Sequence, residues 1–359
     1  MNNDALQQLL NSPVSFLASA AQDSSIAISS RIRLARNLKN FPFSTTAKPK
    51  HLSDICELVT AAAADAPTLP PEECLTFDIA DMSPNDRGIL EERGLANKEF
   101  LSGSAHSRLI AKSDGSCSIM VNGEDHLRIR CLAPGFQLDK VWQTIDGLDN
   151  ELAAHLEYAF DNQLGFLTCS PTDAGTGLKA SVMLHLPGLI MTGKLAPTIH
   201  GVSKLNLEFK SFFGDGTEYH GNLFQISNQV TLGDTEAGII EKLSQVVRQL
   251  IVHELSARQL IIEKDQAALL DHVGRSYGIL RHGYKISLKE ALNCLSGIRL
   301  GVDMGLFSHV DMSKVNEMFL TVHSAHLQKN AGKTLSAAEK DIFRASYCRN
   351  ELKKPEKNN

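Results

Sequence analysis

The sequence has no apolar run long enough to cross a membrane, no basic excess and no paired cysteine motif. Its 359 residues carry a net charge of −5, which argues against a general nucleic-acid or membrane surface. The N-terminus has no cationic segment leading into an apolar core, so no secretory signal is predicted. We therefore expect a cytoplasmic protein.

Cysteine is also sparse and irregular. The seven cysteines are scattered, odd in number and free of C-x-x-C pairs, which argues against a disulfide framework or a zinc site. Cys169 is either an oxidation-sensitive thiol or a packed side chain. A hydrophobic content of 43% is enough for a proper core, and the length allows two domains.

Strand and helix signals mix along the first two thirds of the chain, which predicts an α+β domain with an antiparallel sheet and flanking helices. Helices are expected at 51–66 and 138–163, and strands at 107–132, 205–213 and 222–232. Beyond 233 the pattern is helical, and the apolar stripe from Ile239 predicts a dimer seam or packing within a helical bundle. The predicted division is 1–24, an N-terminal segment; 25–233, a catalytic domain; 234–350, an all-helical domain; and 351–359, a disordered tail.

The segment "SPTDAGTGLKASVMLHLP" combines turn-forming residues with an apolar run. Ala174, Gly175 and Gly177 precede a stretch that favours a helix and holds one cation, Lys179. A helix N-terminus attracts anions, and glycine lets the backbone approach them closely. The segment matches neither the P-loop nor the dinucleotide fingerprint, so an ordinary turn is the alternative.

Arginines cluster in "SSRIRLARNL", which is predicted to begin as a strand and then turn helical. On a strand, Arg31 and Arg33 share a face because side chains alternate. Their guanidiniums repel unless an anion lies between them, and their forked donors suit phosphate oxygens. A solvated basic edge strand is the alternative interpretation.

A second charged motif is "NGEDHLRIR". One strand face is predicted to carry Glu124, His126, Arg128 and Arg130. The alternative is a salt-bridged surface strand.

The loop "GDGTEYHG" carries Asp215 and Glu218 among glycines, as a mobile lid or an ordinary turn would.

Clustered arginines, a glycine turn and a few carboxylates are the groups that phosphoryl transfer needs, because in that reaction the protein mainly positions groups and neutralises charge. The four motifs together therefore predict a phosphotransferase.

The blocks "SSRIRLARNL", "EDHLRI", "PTDAGTGLKASVMLHLP" and "GDGTE" resemble the ATP:guanidino phosphotransferases, the family of arginine and creatine kinases. The match extends through 274–307 and 340–345. The metabolic members carry a helical domain of roughly a hundred residues before the first arginine motif, about one small domain. Here that motif starts at Ser29 and the extra helices follow, which favours the protein-directed branch that phosphorylates arginine side chains.

The resemblance implies a guanidino-kinase-type sheet, ATP and Mg²⁺ as cofactors, and specific site residues. Glu124 would face the substrate guanidinium, with Glu218 and Asp215 assisting from the loop. Mg²⁺ would be held mostly by ATP oxygens and water, without a dedicated protein site. The implied ATP-binding residues are Ser29, Ser30, Arg31, Ile32, Arg33, Arg128, Lys179, Ala180, Ser181, Val182, Met183, Lys210, Ser211, Phe212, Phe213, Gly214 and Asp215.

The helical domain, by the same resemblance, would mediate homodimerisation and bind phosphoarginine allosterically at Lys340, Asp341, Arg344 and Ala345. The implied partners are substrate proteins with exposed arginines, a Clp-type protease that degrades the marked proteins, and a small zinc-finger activator. No nucleic acid or membrane is implied.

The chain departs from the family pattern at several positions, which keeps two other functions open. The usual active-site cysteine and asparagine are Ser170 and Asp173, the arginine before "ASVM" is Lys179, and a glutamate and a histidine are replaced by Gly123 and Gly94. A catalytically weakened phosphoarginine-binding scaffold is one alternative. A kinase of small guanidino compounds is the other.

Overall fold

The computed structural model describes residues 2–14, 25–103, 105–213, 219–307 and 309–353. Its strands are β1 (Ala27–Arg36), β2 (Cys74–Asp78), β3 (Arg108–Lys112), β4 (Cys117–Val121), β5 (Leu127–Pro134), β6 (Phe160–Asp161), β7 (Gly165–Phe166), β8 (Leu178–His185), β9 (Leu207–Phe213) and β10 (His220–Asn228). Eight of them form one antiparallel sheet in the order β2-β3-β4-β5-β1-β8-β10-β9, and β6 and β7 form a separate hairpin. This confirms the predicted α+β class.

Helices cover both sides of this sheet. They are α1 (Asn2–Asn11), α2 (Pro49–Ala64), α3 (Pro84–Glu92), α4 (Lys98–Leu101), α5 (Leu138–Ala153), α6 (Pro187–Met191), α7 (Leu195–Ser203), α8 (Glu236–His282), α9 (Leu288–Asp303), α10 (Met312–Thr321), α11 (Ser324–Ala331) and α12 (Ala337–Glu351). Within the described ranges, none of them combines the length and apolar character needed to span a bilayer.

The sheet has one apolar and one polar face because its central strands alternate. On β1, Ile32 and Leu34 are fully buried among side chains of α2, α5 and α8, whereas Arg31 and Arg33 project to the other side. Burying this apolar face against helices is the main stabilisation of the domain. The opposite face is left free to carry charged groups.

Two helical predictions in the sheet are wrong, and the helix expected at 138–163 ends at Ala153, before the hairpin strand β6. The run after Gly177 is the strand β8, in which Leu178, Ala180 and Val182 enter the core and alternate with polar-face residues. The segment "SIAISSRIRLARNL" does not turn helical either, since β1 continues to Arg36. Both strands lie in the middle of the sheet, where pairing on two sides overrides a preference for helix.

The long helix α8 belongs to the sheet as well as to the C-terminal helices. Ile239, Leu243, Val247 and Leu250 pack in the core beneath the apolar face of the sheet. Both predicted roles of this stripe, a dimer seam and a seam within a helical bundle, are therefore wrong. After a kink at Asp265 the helix continues among the C-terminal helices, and the division at residue 233 remains a prediction.

The C-terminal helices close over the polar face at one end of the sheet. Ile28, Met183 and Leu223 of the sheet share an apolar cluster with residues of α9, α10 and α12. The N-terminal helix α1 packs beside β2 in another cluster. Of the predicted tail, residues 354–359 lie outside the described residues.

Gly177 provides a test of the turn that starts β8. Its φ is +65°, and an added Cβ would lie 2.6 Å from the carbonyl oxygen of Ala35 and 2.6 Å from a guanidinium nitrogen of Arg36. Gly177→Ala should therefore lower the free energy of unfolding by about 2–4 kcal/mol, measured by urea denaturation. Gly201→Ala in α7, where the added Cβ meets nothing within 4 Å, is the matched control and should be neutral or stabilising. Equal effects of the two substitutions would contradict this account of the turn.

Candidate active site

Cationic side chains of three neighbouring strands meet on the polar face. Arg33 on β1 lies opposite Arg130 on β5 and Lys179 on β8, and Arg31 lies opposite Ser181. The prediction that Arg31 and Arg33 share a face is confirmed. Because β1 is a central strand, the alternative of a solvated edge strand is wrong.

Arg31 and Arg33 of β1 differ in their partners. Arg31 donates from Nε to Ser181 Oγ (3.2 Å) and from Nη2 to Gln225 Oε1 (2.6 Å), so both of these partners are neutral. Arg33 makes no hydrogen bond or ion pair with any residue that the structure describes. Burial and the neighbouring Arg128 lower the pKa of Arg33 to about 10, although nearby carboxylates oppose the shift. Positive charge without a paired carboxylate is suited to an anion.

Arg130 adds a buried positive charge to the polar face. The sequence predicted its position beside Arg128 but assigned it no function. Its side chain is 2% exposed, and its Nε and Nη2 have no hydrogen-bond partner in the described chain. Burial and the charge of Arg33 lower its pKa to about 10. Arg130 therefore strengthens the positive potential beneath the face.

The cations of the polar face form a row made of Arg31, Arg33, Arg128, Arg130 and Lys179. Carboxylates gather at one end of this cationic row, around Arg128. Its Nη2 lies 3.0 Å from Glu124 Oε2, 3.5 Å from Asp125 Oδ2 and 4.0 Å from Asp173 Oδ2. The Asp125 side chain is fully buried, whereas that of Glu124 is half exposed. Glu124 is thus held against a cation of the row and is still open to a ligand.

The motif that supplies Glu124 is a loop, so the predicted strand face is wrong in part. Strand β5 begins at Leu127, and only Arg128 and Arg130 share its face. His126 is buried, accepting from the Leu38 amide at Nδ1 and contacting the Pro42 carbonyl oxygen through Nε2. Burial lowers the pKa of His126, so the ring is neutral and structural.

Asp125 fixes the neighbouring loop. Its Oδ1 accepts from Asn37 Nδ2 and from the amide of Cys169, both at 2.8 Å. Burial and this carboxylate raise the pKa of the Cys169 thiol to about 11. The thiol stays protonated near neutral pH, which supports its packing interpretation over a reactive thiolate.

Several residues implied as ATP contacts point away from the site. Ile32, Ala180 and Val182 are fully buried in the core on the apolar face. Ser30 also faces that side, where its Oγ donates to the Gly135 carbonyl oxygen and accepts from the Gln137 amide. These side chains cannot touch a ligand on the polar face because strand alternation directs them to the opposite side.

A mostly apolar cavity opens beside Arg31. The sheet side is lined by Ser29, Ser181, Met183, Phe212, Leu223 and Gln225, and the remaining wall includes Arg93, Gly94, Phe319 and Leu320. Phe319 and Leu320 belong to α10, so a C-terminal helix closes the cavity. Its mostly apolar lining suits a nucleoside whose phosphates extend towards Arg31 and Arg33.

A second cavity, of about 560 Å³, lies at the other end of the row. Glu124 and Arg128 line it together with Leu52, Glu99, Phe100 and Met120. Acidic groups over an apolar wall suit a cationic side chain with an aliphatic stem. Glu124 and Arg128 therefore connect the cationic row to a cavity that fits an acceptor.

The remaining predicted positions are only partly described. Gly214, Asp215 and Glu218 lie outside the described residues, as does the side chain of Phe213. In the part of the chain that is described, no three His, Cys, Asp or Glu side chains are grouped to hold a metal ion.

The predicted phosphoarginine residues lie on α12. Arg344 is buried and donates to the carbonyl oxygens of Val322 and Ile286 and to Asp341 Oδ1. Ala345 is part of the helical core. These contacts link α12 to two turns, and phosphoarginine binding there stays a prediction.

The fold and the cationic face define a guanidino-kinase-type phosphotransferase. The model is similar to a taurocyamine kinase from Schistosoma mansoni with bound transition-state-analogue components (TM-score 0.58, 21% identity, 69% of this chain and 35% of that one). It is also similar to a lombricine kinase (TM-score 0.57, 20% identity, 69% of this chain and 72% of that one). At these identities the likeness establishes the fold.

Sequence comparison gives the family. Residues 56–257 match the ATP:guanido phosphotransferase C-terminal catalytic domain, and 266–359 match the C-terminal domain of the protein-arginine kinase McsB. A protein-arginine kinase of Halalkalibacterium halodurans is 41% identical over 99% of this chain and all of its own length. One of Caldanaerobacter subterraneus subsp. tengcongensis is 38% identical over 93% of this chain and 99% of its own. The chain belongs to the ATP:guanido phosphotransferase family, in its protein-arginine kinase branch.

Proposed function

We propose that this protein transfers the γ-phosphoryl group of ATP to arginine side chains of proteins. The observation that carries the proposal is the contact between Glu124 and Arg128, which joins the cationic row to the acceptor cavity. Full-length relatives named protein-arginine kinase support the choice of substrate. The other two functions predicted from the sequence become outcomes of the test below.

The nucleotide would lie along the polar face. Its adenosine fits the cavity beside Met183 and Gly94, and its phosphates would run past Arg31 and Arg33 towards Arg128. Mg²⁺, when bound with ATP, supplies charge neutralisation between the phosphates, held mainly by their oxygens and by water. The described side chains supply the remaining positive charge.

The acceptor guanidinium would enter beside Glu124. A bond forms between its nitrogen and the γ-phosphorus while the bond from that phosphorus to the ADP oxygen breaks, and the nitrogen loses one proton. Because the pKa of an arginine guanidinium in water lies far above neutral, orientation and partial charge transfer to carboxylates matter more than full deprotonation beforehand. The Glu124 carboxylate is placed to accept a hydrogen bond from the attacking guanidinium nitrogen. Asp215 and Glu218 are proposed to assist from their loop.

The proposal extends to partners and location. The match of residues 266–359 to a McsB C-terminal domain supports a homodimer that binds phosphoarginine at Lys340, Asp341 and Arg344. We further propose a cytoplasmic protein that marks substrates for a Clp-type protease and works with a zinc-finger activator.

The test is mass spectrometry at neutral pH, which preserves phosphoramidates. The purified protein is incubated with Mg-ATP and an unfolded arginine-rich protein, with and without excess free arginine. Phosphoarginine on the protein, undiminished by free arginine, is the expected result. Strong competition with transfer to free arginine would favour a small-molecule kinase. No transfer to either acceptor, even with an added activator, together with retained phosphoarginine binding, would favour the scaffold.

A further inference from the structure

A carboxylate lies beside Lys179 on the polar face of the sheet, where the nucleotide is proposed to bind. Glu208 of the edge strand β9 lies with Oε1 2.7 Å from Lys210 Nζ and Oε2 3.5 Å from Lys179 Nζ. The same Oε2 accepts from Ser227 Oγ at 3.4 Å. One acidic side chain therefore bridges two lysines that the family resemblance assigns to ATP.

The bridge is ionic at neutral pH. Burial lowers the pKa of Lys179, and the charge of Glu208 opposes this shift. Burial acts to raise the pKa of Glu208, but the hydrogen bond from Lys210 and the charges of both lysines outweigh it and lower that pKa. Glu208 is therefore a carboxylate and Lys179 an ammonium when the enzyme would work.

The Glu208 bridge gives Lys179 a carboxylate partner that its neighbour Arg33 lacks. Arg33, opposite Lys179 across the β1–β8 pair, has no carboxylate within ion-pair distance in the described structure. A phosphate oxygen and a carboxylate oxygen accept the same ammonium hydrogen bonds, so they compete for one lysine. An ATP phosphate that reaches Lys179 must share or displace Glu208.

We propose that Glu208 is a positioning residue that acts through Lys179 and Lys210 and lowers the affinity of the site for ATP, by holding both lysines in a bridge that the phosphates must open. This inference rests on the proposed function, in which the cationic face binds ATP. Glu208 touches neither the acceptor nor the adenosine cavity in this account. Its effect should therefore appear in nucleotide affinity and depend on Lys179.

The test is calorimetric titration of Mg-ATP into the full chain and its Glu208→Gln variant. Glutamine keeps the size of the side chain and removes its charge, so both lysines become available to phosphate. The Kd for ATP should fall about three- to tenfold at low salt, and less at high salt because exposed charges are screened. The side chain of Glu208 is 26% exposed, so the variant should fold. Glu241→Gln, an exposed change on α8 beneath the other face, is the matched control and should leave Kd unchanged.

A double-mutant cycle separates this mechanism from a structural role. Lys179→Met should weaken ATP binding, and adding Glu208→Gln to it should restore less affinity than the same change gives in the wild type. Unchanged or weaker ATP binding by Glu208→Gln, or an equal gain in both backgrounds, would overturn the inference while leaving the proposed function intact. A wild-type protein that binds no ATP would overturn both.

Discussion

Glu124→Gln should lower kcat by at least about 100-fold while changing the Kd for ATP by less than about twofold. The Glu124 carboxylate contacts Arg128 on one side and opens to the acceptor cavity on the other. Glutamine keeps the shape of the side chain, but it has no negative charge with which to stabilise the guanidinium while its nitrogen attacks the γ-phosphorus. Initial rates of protein phosphorylation and calorimetric ATP binding measure the two quantities separately.

The acceptor cavity offers a control of the same chemistry. Glu99 also lines it, but it is exposed and accepts a hydrogen bond from Asn97, the residue just before its own helix. Glu99→Gln should therefore change kcat by less than about threefold, since general electrostatic effects of exposed groups are small. Equal losses in both variants would mean that the cavity acts through its overall charge. A Glu124→Gln variant with wild-type kcat would remove this residue from the chemistry.

The fold was predictable where apolar and polar residues alternate clearly. It was predicted wrongly where the same residues also favour a helix. Arg31 and Arg33 flank Ile32, and that pattern alone placed both arginines on one face. In β8 the same alternation is present, but Leu178, Ala180 and Met183 also favour helices. Pairing of β8 with β1 and β10 decides the outcome, and a single local window does not contain that information.

The site was only partly predictable because its walls come from distant segments. The Arg33 and Arg130 pair follows from register between β1 and β5, almost a hundred residues apart. The apolar cavity beside Arg31 is closed by Phe319 and Leu320 of α10, for which the sequence gives no local signal. His126 shows the reverse error. It lies in a charged motif, yet the loop folds inwards and uses its ring for two backbone contacts.

Arg33→Met should weaken the enzyme and strengthen the fold. The guanidinium lacks an ion-pair partner, and burial together with Arg128 holds its pKa near 10, so its charge costs stability in the folded protein at neutral pH. Because this charged form is disfavoured on folding, removing it should raise the free energy of unfolding by about 1 kcal/mol. The same change should lower kcat/KM for ATP by about 100-fold or more, since the charge faces the transferring phosphates.

Arg33→Met is expected to raise stability and lower kcat/KM, so a control variant should show neither change. Arg275→Met on α8 removes an exposed guanidinium that pairs with Asp271, and it should change neither stability nor kcat/KM by much. Urea denaturation and steady-state kinetics at varied ATP concentration give both readings for each variant. If Arg33→Met lost stability and activity together, Arg33 would be part of the packing of the sheet. A gain in stability with a loss of kcat/KM would identify an unpaired charge that is kept for the phosphates at the expense of the fold.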